Sequence, residues 1–264
     1  MITAADITAA LRELGVGPAD VLYAHSGMQS AIRAEGSTRE EKMDTVLAGF
    51  DAAVPDGVLM LPTFTYSYCR GEDFDVDASP STVGMLTERF RTRPGVRRTL
   101  EPIFSTAVRG PLPAAWEERL FAVGDVDCFG EDSVFAHLLE TDAKLVFFGV
   151  GFEFCTFLYL VEERLRVPYR YFKPFTGAVV RDGAATPTTA SYFVRHLDQD
   201  VENDFDPLFA ELLARGHARE LKIPKGPRIV VVGARAVHDV AVERIESEPD
   251  FLLTRGHRTE VAAS

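Results

Sequence analysis

Residues 149–163 hold the densest set of side chains able to do chemistry, reading Gly-Val-Gly-Phe-Glu-Phe-Cys-Thr-Phe-Leu-Tyr-Leu-Val-Glu-Glu. They close the apolar run 145–151, which reads as a buried strand, and lead into a predicted helix over 154–165. A loop between a buried strand and a helix is where open α/β sheets place ligands. At helical spacing Cys155, Leu158, Tyr159 and Glu162 share one face, so a thiol, a phenol and a carboxylate stand together beside Thr156. A thiol can be a nucleophile, although nearby anions raise its pKa. A phenol can be an acid or a hydrogen-bond donor, and a buried carboxylate can become a base. The same spacing also suits Cys155 and Tyr159 in a core with Glu162 and Glu163 in solvent. Gly149 and Gly151 lack the third glycine of a dinucleotide fingerprint, and no P-loop occurs; they suit a turn with no room for a Cβ.

Two charge clusters precede this segment. Arg89, Arg91, Arg93, Arg97 and Arg98 lie within ten residues. The guanidinium fork suits phosphates, and a solvated helix end accounts for the same run. Glu72, Asp73, Asp75 and Asp77 form an acidic loop near Tyr66, Tyr68 and Arg70, which could hold an amine by charge or simply face water.

The elements that must position these residues alternate. Helical spacing covers 5–14, and 20–26 reads as a short buried strand ending in His25 and Ser26. Ser37 with Glu40 and Thr38 with Glu41 fit a capping box ahead of a helix carrying Met43, Val46, Leu47 and Phe50. A buried strand follows at 58–62, a helix at 83–91, a strand at 103–109, and helices at 113–122 and 132–140. After Pro168, residues 172–180 and a second extended run flank Asp182-Gly183 as a hairpin. A helix at 201–215 and strands at 228–233 and 235–240 complete the chain. Buried strands alternating with amphipathic helices predict an α/β fold: a mixed sheet sandwiched by helices on both faces, with a C-terminal α+β extension containing the hairpin. With no Pro/Gly/Ser-rich linker, a single domain over 1–264 is expected, its α/β core at 1–170 and an α+β subdomain at 171–264 on the same core.

The net charge of −12 argues against nucleic acid, whose phosphates demand clustered cations. No apolar run approaches the ~20 residues that span a bilayer, and the N-terminus lacks a signal-peptide pattern. Cys69, Cys128 and Cys155 are an odd, scattered set that suggests neither disulfides nor a metal site. A cytoplasmic protein is the expectation.

Six collinear stretches carry a family resemblance. They are Leu22-Tyr23-Ala24-His25-Ser26, Leu59-Met60-Leu61-Pro62-Thr63-Phe64-Thr65, the block from Phe74-Asp75 through Pro80-Ser81 to Gly84–Arg91, Arg98–Ser105 with its Glu101-Pro102, Gly130 with Ser133, and Thr156-x-x-Tyr159-x-x-Glu162. Over about residues 12–170 the chain resembles the aminoglycoside 3-N-acetyltransferase (antibiotic N-acetyltransferase) family; the last third matches less distinctly. The resemblance implies an acyltransferase that uses acetyl-coenzyme A, or another acyl-coenzyme A, as co-substrate on a small-molecule amine, with no metal and no membrane or nucleic-acid partner, and it allows a homodimer.

By the same resemblance Tyr159 stands where the family has its catalytic histidine, and Glu101 where it has a second one. A phenol's reference pKa lies about 3.5 units above an imidazole's, a mismatch of about 5 kcal/mol for a base at neutral pH. The catalytic candidates are therefore Tyr159, Glu162, Glu101 and Cys155. Asp75, Glu153 and Tyr66 are candidates for the acceptor, and His25, Ser26, Ser105, Thr156 and Arg98 for the coenzyme. A carboxylate base, a Tyr159 donor and a Cys155 nucleophile all stay open. The expectation is N-acyl transfer to an amino sugar or biosynthetic intermediate outside simple aminoglycoside resistance. Coenzyme-independent chemistry (hydrolysis, amide formation or a lyase reaction) and a non-catalytic binding subunit are the alternatives.

Overall fold

Two capping boxes start the first two helices. In the computed structural model, which describes residues 1–27, 29–197 and 201–254, the Asp6 N–H donates to the Thr3 hydroxyl at 3.0 Å and the Thr3 N–H to the Asp6 carboxylate at 2.8 Å. They open α1 (Ala4–Glu13). Thr38 and Glu41 repeat the device at α2 (Arg39–Ala53), as their spacing predicts. Between and after them lie β1 (Val21–Ser26) and β2 (Val58–Pro62).

The remaining helices are α3 (Met85–Arg91), α4 (Ala114–Phe121), α5 (Val134–Glu140), α6 (Leu158–Arg164), α7 (Asp206–Ala214) and α8 (Ala234–Ser247). The remaining strands are β3 (Phe74–Asp75), β4 (Arg97–Arg98), β5 (Thr106–Arg109), β6 (Val126–Asp127), β7 (Lys144–Phe148), β8 (Arg170–Arg181), β9 (Ala184–Arg195), β10 (Ala218–Lys222) and β11 (Arg228–Gly233).

Seven strands form one mixed sheet in the order β10-β11-β7-β1-β2-β5-β4. Its centre is parallel, β1 pairing with both β2 and β7, and these strands are nearly all apolar because helices cover both faces. Side chains alternate across the sheet. Leu22, Leu59, Val146 and Phe148 point to the face packed by Leu11, Val46, Leu47, Phe50 and Phe90 of α1–α3. Tyr23, Met60, Leu145 and Phe147 point to the other, against Phe135, Leu160, Val161 and Val237 of α5, α6 and α8. The expected α/β sandwich is thus present. A second, four-stranded sheet runs β3-β8-β9-β6.

The predicted hairpin is the second sheet's spine. Its register runs from Arg170↔Arg195 at the base to Arg181↔Ala184 at the tip. Asp182 and Gly183 both have positive φ (51° and 77°), the conformation of the tight turn that matches strand twist.

Two expectations are corrected, and one strand is new. Residues 235–240, read as a strand, belong to α8, whose buried Ala234, Val237, Val240, Ala241 and Ile245 recur at helical spacing; six residues are too few to reveal that period. The helix expected from 154 begins at Leu158, because residues 152–154 form a 3₁₀ turn and Cys155 leaves helical geometry at ψ 77°. The polar edge strand β10 was not foreseen, since Arg219, Glu220 and Lys222 carry no apolar run. Residues 198–200, at the approach to the helix expected over 201–215, lie outside the described residues, and that helix is α7.

Candidate active site

β1, β2 and β7 end together at Ser26, Pro62 and Phe148, and the chain leaving these parallel ends walls a cleft of about 1160 Å³. Its position agrees with the rule that ligands sit beyond the carboxyl ends of such strands. His25, Ser26, Tyr66, Glu153, Thr156 and Tyr159 all line it. These six candidates come from three stretches of sequence that only the fold brings together. The closeness of the β1 and β7 loops requires a glycine: a Cβ on Gly27 would lie 2.5 Å from the Gly149 carbonyl oxygen.

His25 points to the same sheet face as Tyr23, two residues earlier. Its ring stacks on Phe147 at 5.2 Å and meets Tyr23 edge-on at 5.1 Å. Burial without a compensating charge lowers its pKa to about 3, so the imidazole is neutral at physiological pH.

Tyr159 opens α6, half-buried at the cleft wall against Phe129 (5.7 Å) and Phe205 (6.5 Å). The Arg170 guanidinium carbon sits 4.5 Å from its ring centroid. Burial raises the phenol's pKa, with Arg170 opposing. Glu162, one turn along α6, is fully buried. Its Oε2 is 3.0 Å from the Arg170 guanidinium, and its Oε1 accepts the Tyr169 hydroxyl at 2.9 Å. Burial pushes the Glu162 carboxyl up while Arg170 pulls it back. Burial also works against the Arg170 charge, but Glu162 and the surrounding tyrosines more than offset it. The arrangement is a relay in which Glu162 holds Arg170 and Arg170 underlies Tyr159.

The other candidates lie elsewhere. Glu101 lines a separate cavity of about 630 Å³ with Phe104 and Cys128. Its carboxylate accepts the Ile103 N–H (2.8 Å), the Phe104 N–H and the Cys128 thiol (3.3 Å). Burial outweighs these bonds and raises it to about 7. Cys155 is wholly buried, and burial pushes its thiol well above the usual range. It faces neither cavity and is not on α6, so the common face expected for Cys155, Tyr159 and Glu162 does not form. Asp75 closes its own loop, accepting the Asp77 and Ala78 N–H groups at 3.0 and 2.8 Å. Arg98 donates to the Ser105 hydroxyl (3.1 Å) and to the carbonyls of Thr63 (2.6 Å) and Val76 (3.3 Å), and burial lowers its pKa to about 10. Arg98 and Ser105 thereby tie β4 and β5 to the loop after β2, away from the cleft lining.

The arginine run resolves into ion pairs: Arg89 with Asp44, Arg91 with Glu88, Arg93 with Asp51 and Arg97 with Glu117. Within that run Arg89 alone is at the cleft. Sequence reasoning missed Arg39, Met85 and Phe154, which also line it, and Arg170. Phe154 could have been found as an aromatic side chain in a turn beside Thr156-x-x-Tyr159; nothing local marks the other three. Among the described residues no group of three or more His, Cys, Asp or Glu is placed to hold a metal ion, and no helix is long and apolar enough to cross a membrane.

A family model described as aminoglycoside 3-N-acetyltransferase matches residues 24–246. The chain belongs to that family. A curated relative, aminoglycoside N(3)-acetyltransferase IV of Salmonella sp., is 30% identical over 181 residues, which are 68% of this chain and 65% of the relative's length. The match therefore spans just under two thirds of that protein. Among solved structures, AAC-IIIb in a binary complex with CoASH superposes with a TM-score of 0.75 at 22% identity, covering 93% of this chain and 97% of that one. Sisomicin-bound AAC-VIa gives 0.75 at 21% identity, over 93% and 98%. At such identities these structures establish a shared fold, and the cleft is this family member's candidate active site.

Proposed function

We propose that the chain is a coenzyme A-dependent N-acyltransferase with an altered active site, moving an acetyl group to an amine outside simple aminoglycoside resistance. The observation that carries this reading is Tyr159 facing the cleft with Arg170 beneath it, at the position where the family resemblance expects histidine. The family match and the CoASH complex of AAC-IIIb support acetyl-coenzyme A as donor, and the cleft is large enough for its pantetheine arm. Arg39 suits the donor's phosphates, since its guanidinium touches the Met85 sulfur at 3.7 Å rather than a carboxylate. Ser26 and Thr156 supply hydroxyls for the pantetheine amides, and His25 forms an apolar floor. Glu153, Tyr66 and Tyr159 form the acceptor end.

In the reaction the acceptor nitrogen adds to the thioester carbonyl, a C–N bond forms, the C–S bond breaks and the thiol departs. Negative charge develops on the carbonyl oxygen and then on sulfur. A phenol is a competent donor to either, and a guanidinium under its ring favours charge moving toward the phenol oxygen. Tyr159 therefore acts as donor rather than base. Glu162 is the positioning residue that holds Arg170, while Glu101, Cys155, Arg98, Ser105 and Asp75 keep structural roles.

Titration calorimetry with acetyl-coenzyme A tests the reading. Saturable binding is expected, and no binding at millimolar ligand removes it. Release of free thiol that depends on an added amine would separate transfer from hydrolysis.

A further inference from the structure

A primary alkylamine is a cation at neutral pH and cannot attack until it gives up a proton. General-base help requires a group whose pKa lies near the working pH. His25 sits between the Phe147 and Tyr23 rings without a carboxylate beside it, and its lowered pKa makes it a weak base. Tyr159 is stacked on a guanidinium, which suits donating a proton rather than taking one. The carboxylates lining the cleft are few among the described residues. Glu88 is held by Arg91 and the Ser81 N–H, and Glu40 stands on the first turn of α2, on the wall formed with α3. Glu153 and Glu40 are left on the lining, and two carboxylates are a poor match for a polycation.

Beside the exposed Arg39, Glu40 and Glu153, the cleft also leaves large apolar side chains open. Phe154 is 55% exposed and Met85 41%, and both line the cleft with Phe64 and Tyr66. Large side chains left open at a cleft mark a ligand that covers them, and aromatic walls favour a flat ring.

From these walls and their proton chemistry we infer that the acceptor is an aromatic amine, of the arylamine or arylhydrazine class, uncharged at neutral pH, rather than a polycationic amino sugar. The inference rests on the acyltransferase reading above. The neutral nitrogen adds to the thioester carbonyl, and as the C–S bond breaks the proton on nitrogen passes to the leaving thiolate. Amide and free thiol result, so no external base is consumed.

The test measures thiol release from acetyl-coenzyme A with 4-methoxyaniline, benzylamine and sisomicin, alongside calorimetry with acetyl-coenzyme A alone. An amine whose pKa lies two units above the solution pH is about 1% free base. At pH 7 kcat/KM for 4-methoxyaniline should therefore exceed that for benzylamine by about 100-fold or more. The arylamine rate should stay flat from pH 6 to 8, while the benzylamine rate climbs about tenfold per unit. Benzylamine or sisomicin matching the arylamine at pH 7 overturns the inference. Acetyl-coenzyme A binding without arylamine-dependent thiol release overturns it too, yet leaves the donor assignment standing. Absence of coenzyme binding instead overturns the parent reading.

Discussion

Arg170 lies beneath Tyr159, its guanidinium carbon 4.5 Å from the ring centroid, and is held there by Glu162 at 3.0 Å. The carboxylate on α6 thus acts on the phenol of the same helix through a cation from β8. Direct contact would set like charge against a phenolate. The intervening guanidinium reverses that sign and favours negative charge on the phenol oxygen.

Replacing Tyr159 by Phe keeps the ring over Arg170 and deletes the hydroxyl. If the hydroxyl stabilises the developing charge, kcat should fall about 100-fold with little change in coenzyme affinity. Steady-state kinetics beside calorimetry separates the two; full activity would deny that oxygen a chemical role.

Cutting the relay should cost stability. Arg170→Met leaves Glu162 buried without its cation, and breaking one side of such a pair costs about 3–5 kcal/mol. Urea unfolding should show that loss, and Arg170→Met combined with Glu162→Leu should recover much of it. A single variant as stable as the parent would mean the pair is not closed in solution.

Glu153 is exposed and lines the cleft, at the end proposed for the acceptor. Glu153→Gln should leave stability within about 0.5 kcal/mol while raising the acceptor KM several-fold. An unchanged KM for every acceptor that turns over would remove Glu153 from the acceptor site.

Glu101 should leave a mark on the pH dependence of stability. Its folded value of about 7 lies above the ordinary 4.5, so the folded state binds the extra proton between those values and loses stability as pH rises through them. His25 works oppositely, its folded value of about 3 lying below 6.5, so stability grows as pH rises through that window. The two overlap, and the difference between parent and Glu101→Gln isolates the first. The variant should gain melting temperature relative to the parent from pH 4.5 to 7 and keep the gain above; a constant difference would mean Glu101 is not perturbed.

The scaffold was legible because its signals are local and periodic. Thr38 with Glu41 announces α2, the apolar runs at 58–62 and 145–148 announce central strands, and Asp182-Gly183 announces the hairpin. The cleft residues His25, Tyr66, Glu153, Thr156 and Tyr159 could be named because they sit where strands end. What escaped depends on partners distant in sequence. Arg170 looks like one more arginine after Pro168, and its meaning comes from Glu162 and Tyr159 across the fold. Cys155 misled because helical spacing was carried back through a turn whose ψ angle breaks it. Arg98 looked available for phosphate because charge is visible in a sequence and burial is not.

The hairpin carries a further consequence. Arg170 stands at the base of β8, and its pairing is counted from a two-residue turn at the far, exposed end. Adding or removing one residue there would slip the strands and turn alternate side chains to the opposite face, carrying Arg170 away from Tyr159. A solvent-exposed turn is ordinarily a place where chain length drifts freely. Here its length is locked to the cleft, so the tip of β8–β9 should accept changes of residue type far more readily than changes of residue number.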